Sequence, residues 1–194
     1  MSSRENYRPG PAAGAEVRKD GDSWTLIVVR ELRHPPARVW QALTDPAQLR
    51  EWAPFDADRS LASVGPVRLS TVGIPKPVIS ETRVTRADAP RTLEYRWGDG
   101  DMRWQLEPLG AGTRLTLWHN IDRRYIAMGA AGWHICLDVF DHWLAGDPLG
   151  RMVGGAAMSH DWPRLHSEYA RQFGVELPMP PPDPARAQDK EERT

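Results

Sequence analysis

Strict alternation of side-chain character from Thr113 to Ile121 predicts a strand that sends Leu115, Leu117 and His119 to one face. Shortly after it, Trp133, Cys136, Leu137, Phe140 and Leu144 recur at helical spacing, a single apolar stripe able to cover that face, and Gly146 and Pro148 end the helix. A histidine thus enters an apolar layer between strand and helix. Such a layer lines a cavity as readily as it packs a core.

The same alternation predicts further strands. From Trp24 to Arg33, Trp24, Leu26, Val28 and Leu32 share one side and Ile27 and Val29 the other, with Arg30 interrupting the first set. Strands follow at Val67 to Val72, Val78 to Arg86, Leu93 to Trp97 and Met102 to Glu107. Leu93, Tyr95 and Trp97 oppose Glu94 and Arg96, while Met102, Trp104 and Leu106 oppose Arg103, Gln105 and Glu107, so each strand has an apolar and a charged face. The turns Gly98-Asp99-Gly100-Asp101 and Leu109-Gly110-Ala111-Gly112 are short, which predicts an antiparallel meander and excludes a doubly wound parallel sheet.

Two short helices are expected after the first strand. Pro35 and Pro36 open one that runs to Leu43, and Asp45 caps a second from Ala47 to Trp52, stopped by Pro54. A glycine-containing loop from Leu149 to Ser159 leads to a last helix from about Asp161 to Phe173, with Trp162, Leu165, Tyr169 and Phe173 apolar. Residues 1–21 lack periodicity and are expected to be disordered, as is the Pro-rich, charged tail 177–194; one domain then spans residues 22–176. The fold class is α+β: a curved antiparallel sheet of six to seven strands wrapped around a long C-terminal helix, with an extra helix after it.

Composition narrows the function classes. With 25 basic and 26 acidic residues the formal charge is -1, so no global field draws the chain to nucleic acid or to an anionic membrane. A lone cysteine, Cys136, excludes an intramolecular disulfide and fits a cytoplasmic location, and no apolar run is long enough for stable membrane insertion. The first ten residues lack the apolar core of a signal peptide. The 9 tryptophans are spread along the chain, where large flat rings pack cores or line pockets for flat apolar ligands.

In the order Pro36-Ala37-Arg38-Val39-Trp40-Gln41-Ala42-Leu43-Thr44-Asp45-Pro46, Pro90 to Trp97, Gly112 to Leu117 with His119, and Gly132-Trp133, the chain resembles the START-like, Bet v 1-like superfamily. Within it, the similarity is to the branch named for the C-terminal domain of the activator of Hsp90 ATPase. The resemblance covers about residues 24–174 and implies a helix-grip fold with a cavity between sheet and helix. It implies function more broadly, because members include carriers of hydrophobic molecules, aromatase/cyclases, hydrolases and co-chaperones. The loop Leu149 to Ser159 and the helix after it depart from the simplest pattern of the family, and the loop is placed to act as a lid.

Several residue types carry candidate chemistry. His119 would donate a hydrogen bond to a ligand carbonyl or act as an acid/base, unless backbone groups satisfy it within a core. His134, Asp138 and His142 follow at i, i+4 spacing, but the outer two stand two turns, roughly 12 Å, apart along the axis. They are expected to form a solvated polar face and no metal site. Cys136 has no basic neighbour in sequence and is expected to be a small buried hydrophobe. Gly154-Gly155-Ala156-Ala157-Met158-Ser159 contains no hydrolase or nucleotide motif. Of Arg30, Arg68 and Arg96, Arg30 shares parity with Leu32 and is the one expected to turn inward, either toward an anionic ligand or into a strand-edge salt bridge.

The leading functional expectation is binding or carriage of a small hydrophobic or aromatic ligand, with Trp97, Trp104, Leu117, His119, Trp133, Cys136 and Phe140 as its walls and no cofactor. An enzyme of polyketide cyclase/dehydratase type, with His119 catalytic, would use the same space and need a second convergent polar group. A co-chaperone would need an exposed patch for a chaperone partner. A homodimer is compatible with each.

Overall fold

The structure, a computed structural model, describes residues 3–176. A short helix α1 (Ser3–Asn6) and strands β1 (Ala15–Asp20) and β2 (Ser23–Leu32) come first, then helices α2 (Pro36–Thr44) and α3 (Pro46–Trp52). Strands β3 (Phe55–Ala57), β4 (Gly65–Thr71), β5 (Val78–Asp88), β6 (Thr92–Trp97), β7 (Gly100–Leu109) and β8 (Gly112–Asn120) follow. A 3-10 turn at Arg123–Tyr125 leads into α4 (Ile126–Leu144), and α5 (Gly155–Met158) and α6 (Trp162–Phe173) complete the described chain.

All strands pair antiparallel in one 8-stranded sheet of order β1-β2-β8-β7-β6-β5-β4-β3, with α4 lying in its curve. This is the helix-grip arrangement, with two strands beyond those the pattern marks most clearly. The register carries the alternation across the sheet. Leu93 lies opposite Trp104 and Trp104 opposite Leu117, while Tyr95 lies opposite Met102 and Met102 opposite His119. All six are buried on the inner face. On the outer face Glu94 pairs with Arg103 at 3.6 Å, and the Arg103 guanidinium lies 5.0 Å from the centre of the Trp118 ring.

Asp45 caps α3 as expected, its carboxylate accepting from the Ala47 amide at 2.7 Å. Trp52 at the end of that helix is 1 % exposed, donates to the Ala42 carbonyl at 3.2 Å, and packs on Phe140 of α4 with ring centres 4.5 Å apart.

Three expectations change. Residues 3–20 are ordered against the domain: β1 pairs with β2 from Ala15↔Val28 to Asp20↔Ser23, and Tyr7 is buried. An edge strand needs only backbone hydrogen bonds on one side, so the charged run Glu16-Val17-Arg18-Lys19-Asp20 can form one without an apolar signature. The tail 177–194 lies outside the described residues. Second, α4 begins at Ile126, seven residues before the stripe that opens at Trp133, and small residues let its first turns lie close to β2 and to the residue after β8: a Cβ on Gly129 would stand 2.5 Å from Ile121 Cδ1 and 3.9 Å from Leu26 Cδ2. Third, the face of α4 opposite its apolar stripe is solvated only toward its C-terminal end, at Asp141 and His142. The N-terminal segment and α6 cover the rest, so Ile135, Val139 and His134 are buried as well.

Candidate functional site

The ends of β4, β6 and β8 and the first half of α4 converge at one end of the half-barrel. There the parity of each strand delivers an inward side chain: Thr71 from β4, Trp97 from β6 and His119 from β8, with Trp133 descending from α4. His119 is 7 % exposed. Its ring stacks on Trp97 at 5.8 Å between centres and meets Trp133 edge-on at 6.0 Å. Trp133 also stands edge-on to Trp97 at 5.8 Å and to Trp104 at 5.5 Å.

One hydrogen bond settles the tautomer of His119. The Trp133 indole Nε1–H, which can only donate, points at His119 Nδ1 at 3.0 Å. Nδ1 therefore carries the lone pair, and the neutral ring holds its hydrogen on Nε2. Among the described residues Nε2 has no hydrogen-bond partner, and it faces the start of β7, where a Cβ on Gly100 would stand 2.6 Å away. Burial pushes the His119 pKa down to about 4, so the ring is neutral at physiological pH. The arrangement is a fixed N–H donor in an apolar, aromatic setting.

Six of the seven expected wall residues are brought together: Trp97, Trp104, His119 and Trp133 meet ring to ring, Leu117 lies opposite Trp104, and Phe140 joins them through Trp52, with only Trp97 partly exposed. Cys136 is buried too, but the groups that act on it are Tyr7, Asp138 and Arg151. The space between them is occupied by their own rings and by those of Trp52, Phe55 and Tyr95. Two hollows, of about 390 and 260 Å³, lie elsewhere: the larger on the outer face around Arg83, Arg103 and Trp118, the smaller around Arg50, Asp58 and Arg68. Neither is lined by any of the seven. Trp97 stands at the end of the half-barrel, held by a hydrogen bond of 2.9 Å from its Nε1 to Thr71 Oγ1.

Cys136 is a buried thiol whose pKa burial raises to about 12, which makes it inert as a nucleophile at neutral pH. Arg30 turns toward α4 and reaches Asp138 at 4.0 Å, with a further bond to its own segment at Val29 O, 3.0 Å. Arg68 and Arg96 stay on the outer face against Glu81 and Asp101. Asp138 also accepts from Tyr7 Oη at 2.7 Å and lies 3.5 Å from His134 Nε2, while His134 Nδ1 meets Tyr169 Oη at 2.8 Å. Of the expected polar face of α4, His134 and Asp138 are thus a fastening for the N-terminal segment and α6, while Asp141 is exposed and His142 stands at the surface 3.1 Å from Asp147. Among the described residues no group of three metal-ligating side chains is found, and no helix is long and apolar enough to cross a membrane.

Thr71, Gly100 and Phe55 escape sequence reasoning. Thr71 shares parity with Val67 and Leu69, the only signal that marked it as inward. Phe55 sits on a strand of 3 residues, too short to show alternation.

A family described as polyketide cyclase / dehydrase and lipid transport matches residues 23–156. No curated protein matches the sequence. A conserved protein of unknown function from Enterococcus faecalis is similar in structure at a TM-score of 0.64 and 16% identity, covering 81% of this chain and 89% of its own. CalU16 from Micromonospora echinospora aligns at TM-score 0.57 and 20% identity over 87% of this chain and 97% of its own. A Bordetella parapertussis protein aligns at 0.56 and 21% over 88% and 97%. These likenesses establish the fold, and the narrower resemblance to the Hsp90-activator branch gains no support from them.

Proposed function

We propose that this chain, which belongs to the polyketide cyclase / dehydrase and lipid transport family, binds a small, flat, hydrophobic or aromatic molecule between sheet and α4, with one ligand oxygen accepting from His119 Nε2–H. The observation that carries this reading is the single oriented donor in an aromatic enclosure: Trp133 holds Nδ1, burial keeps the ring neutral, and Nε2 is left without a partner among the described residues. This donor stands without a protein partner at the edge of an aromatic enclosure, so a carbonyl or hydroxyl oxygen arriving there exchanges water's hydrogen bond for one made in an apolar setting, where it is stronger.

Because the rings fill the space, binding requires Trp97 to swing out. It is the one wall residue with partial exposure, and its polar tether is the single bond to Thr71. The ligand then takes the place of an indole among Trp104, Trp133 and Phe140, an exchange of one flat ring for another.

The test measures binding of paired aromatic probes, naphthalene and 1-naphthaldehyde, to wild type, His119→Phe and Trp97→Ala by thermal shift and calorimetry. The aldehyde is expected to bind wild type more tightly than the hydrocarbon and to lose about threefold to tenfold of its affinity in His119→Phe, as the loss of one hydrogen bond implies. The hydrocarbon should be insensitive to that change. If neither probe, nor a wider panel of apolar compounds, alters the melting temperature of wild type or of Trp97→Ala, the proposal fails.

A further inference from the structure

The segment between α4 and α5 runs along one edge of the half-barrel, where β3 is the last strand and pairs only with β4. Leu149 and Met152 are buried, and Arg151 reaches across to Asp56 of β3 at 2.6 Å and to the Leu49 carbonyl of α3 at 3.2 Å. Farther along, Val153 and Gly154 press on the turn after β4. A Cβ on Gly73 would stand 2.8 Å from Val153 Cγ2, and one on Gly154 would overlap the Gly73 carbonyl oxygen. Gly73 is two residues beyond Thr71, the residue that tethers Trp97.

The outer side of the same segment is held by the N-terminus. Arg4 Nη1 donates to the Leu149 carbonyl at 3.0 Å and to the Arg151 carbonyl at 3.4 Å. Arg4 is itself anchored, because Tyr7 is buried and donates to Asp138, and the Tyr7 amide bonds back to the Arg4 carbonyl at 3.3 Å. One cation therefore binds two carbonyls of a segment that has little regular structure and spans the gap between helix and sheet edge.

From these contacts we infer that residues 149–154 form a strap over the binding space, that Arg4 latches it, and that its release frees the turn at Gly73 and with it Trp97. The inference rests on the binding reading above and adds the route and its control. Backbone carbonyls held by a side chain from another segment exchange that partner for water at modest cost, whereas the strap's inner face is fixed by buried Leu149 and Met152. The latch is thus the fastening that can be removed without disturbing the strap's buried face, and each hydrogen bond it contributes shifts the strap toward its closed position.

The experiment compares the full chain with its Arg4→Ala variant, using N-phenyl-1-naphthylamine as an uncharged fluorescent probe in stopped flow, and hydrogen exchange of residues 149–154. Arg4 touches no wall residue, so the probe's affinity should stay within about twofold. Association and dissociation rates should both rise, about threefold to tenfold, the equilibrium shift that loss of about one hydrogen bond gives. Amides of the strap should exchange faster while those of β7 and β8 do not change. Arg151→Met, which cuts the bonds to Asp56 and Leu49, should act in the same direction. Faster exchange with unchanged rates overturns the gate, and unchanged exchange overturns the latch. If the probe binds neither protein, the binding reading falls and the gate with it.

Discussion

Acidification should destabilise this protein through His119 by an amount that can be worked out. In the unfolded chain the imidazole titrates near its ordinary value of 6.5, whereas in the folded protein burial lowers it to about 4. The folded pKa is the lower one, so the unfolded state takes up the proton first and stability falls as pH drops below 6.5, the loss levelling off below 4. Each unit of difference corresponds to about 1.4 kcal/mol, so full acidification costs about 3 kcal/mol and the interval from pH 7 to pH 5 about 2 kcal/mol. The structure says why: a protonated ring would bury a charge and turn Nδ1–H against the indole N–H of Trp133, two donors at 3.0 Å. The assay is urea unfolding at pH 7, 6 and 5 on wild type and on His119→Gln, whose amide oxygen can still accept from Trp133 but does not titrate. His134, held down by burial in the same direction, contributes to both proteins and cancels in the difference. The reasoning is refuted if the two proteins lose stability equally between pH 7 and pH 5.

Two further outcomes follow from single contacts. Trp133→Phe keeps a ring but removes the donor to Nδ1, so stability should fall by about 1–3 kcal/mol and ¹⁵N chemical shifts of His119 should show loss of the pure Nε2–H tautomer; an unchanged tautomer would mean that Trp133 does not set it. Gly154→Ala places a side chain at φ 54 and against the Gly73 carbonyl. That strain should cost about 2 kcal/mol and lower Tm by roughly 4–8 °C, with hydrogen exchange rising first in the strap.

How far the sequence carried these conclusions differs by residue. Alternation places Leu93, Trp104, Leu117 and His119 on one face because pleating has a period of two, and the register of the meander then brings them together without further information. The helix stripe from Trp133 to Leu144 is legible for the same kind of reason. What periodicity does not encode is volume. Whether seven inward side chains enclose a hollow or fill it depends on rings contributed from α3 and β3, Trp52 and Phe55, whose segments are too short to announce which way they face. The N-terminal segment was illegible for a different reason. Its attachment runs through backbone pairing in β1 and through isolated polar bonds from Arg4 and Tyr7, and neither leaves a pattern in hydropathy. The same attachment explains His134: i, i+4 spacing of polar residues marks a face, but not what lies on it.

The geometry around His119 also bears on the choice between carrying a ligand and transforming it. Acid/base catalysis needs a group whose pKa lies near the working pH and whose proton can come and go. Here Nδ1 is occupied by Trp133, burial holds the pKa at about 4, and so Nε2–H neither leaves readily nor returns as part of an imidazolium. The hydroxyls of the enclosure, Thr71 Oγ1 and Tyr95 Oη, accept from the indole N–H groups of Trp97 and Trp104. A donor that is fixed, neutral and alone can orient an oxygen and polarise it, which serves recognition. To serve proton transfer it would have to be exposed to water or joined by a charged partner when Trp97 swings out, and no ionised side chain hydrogen-bonds to it among the described residues. The physical chemistry of this ring is what the proposed binding role calls for, within a family whose description covers both.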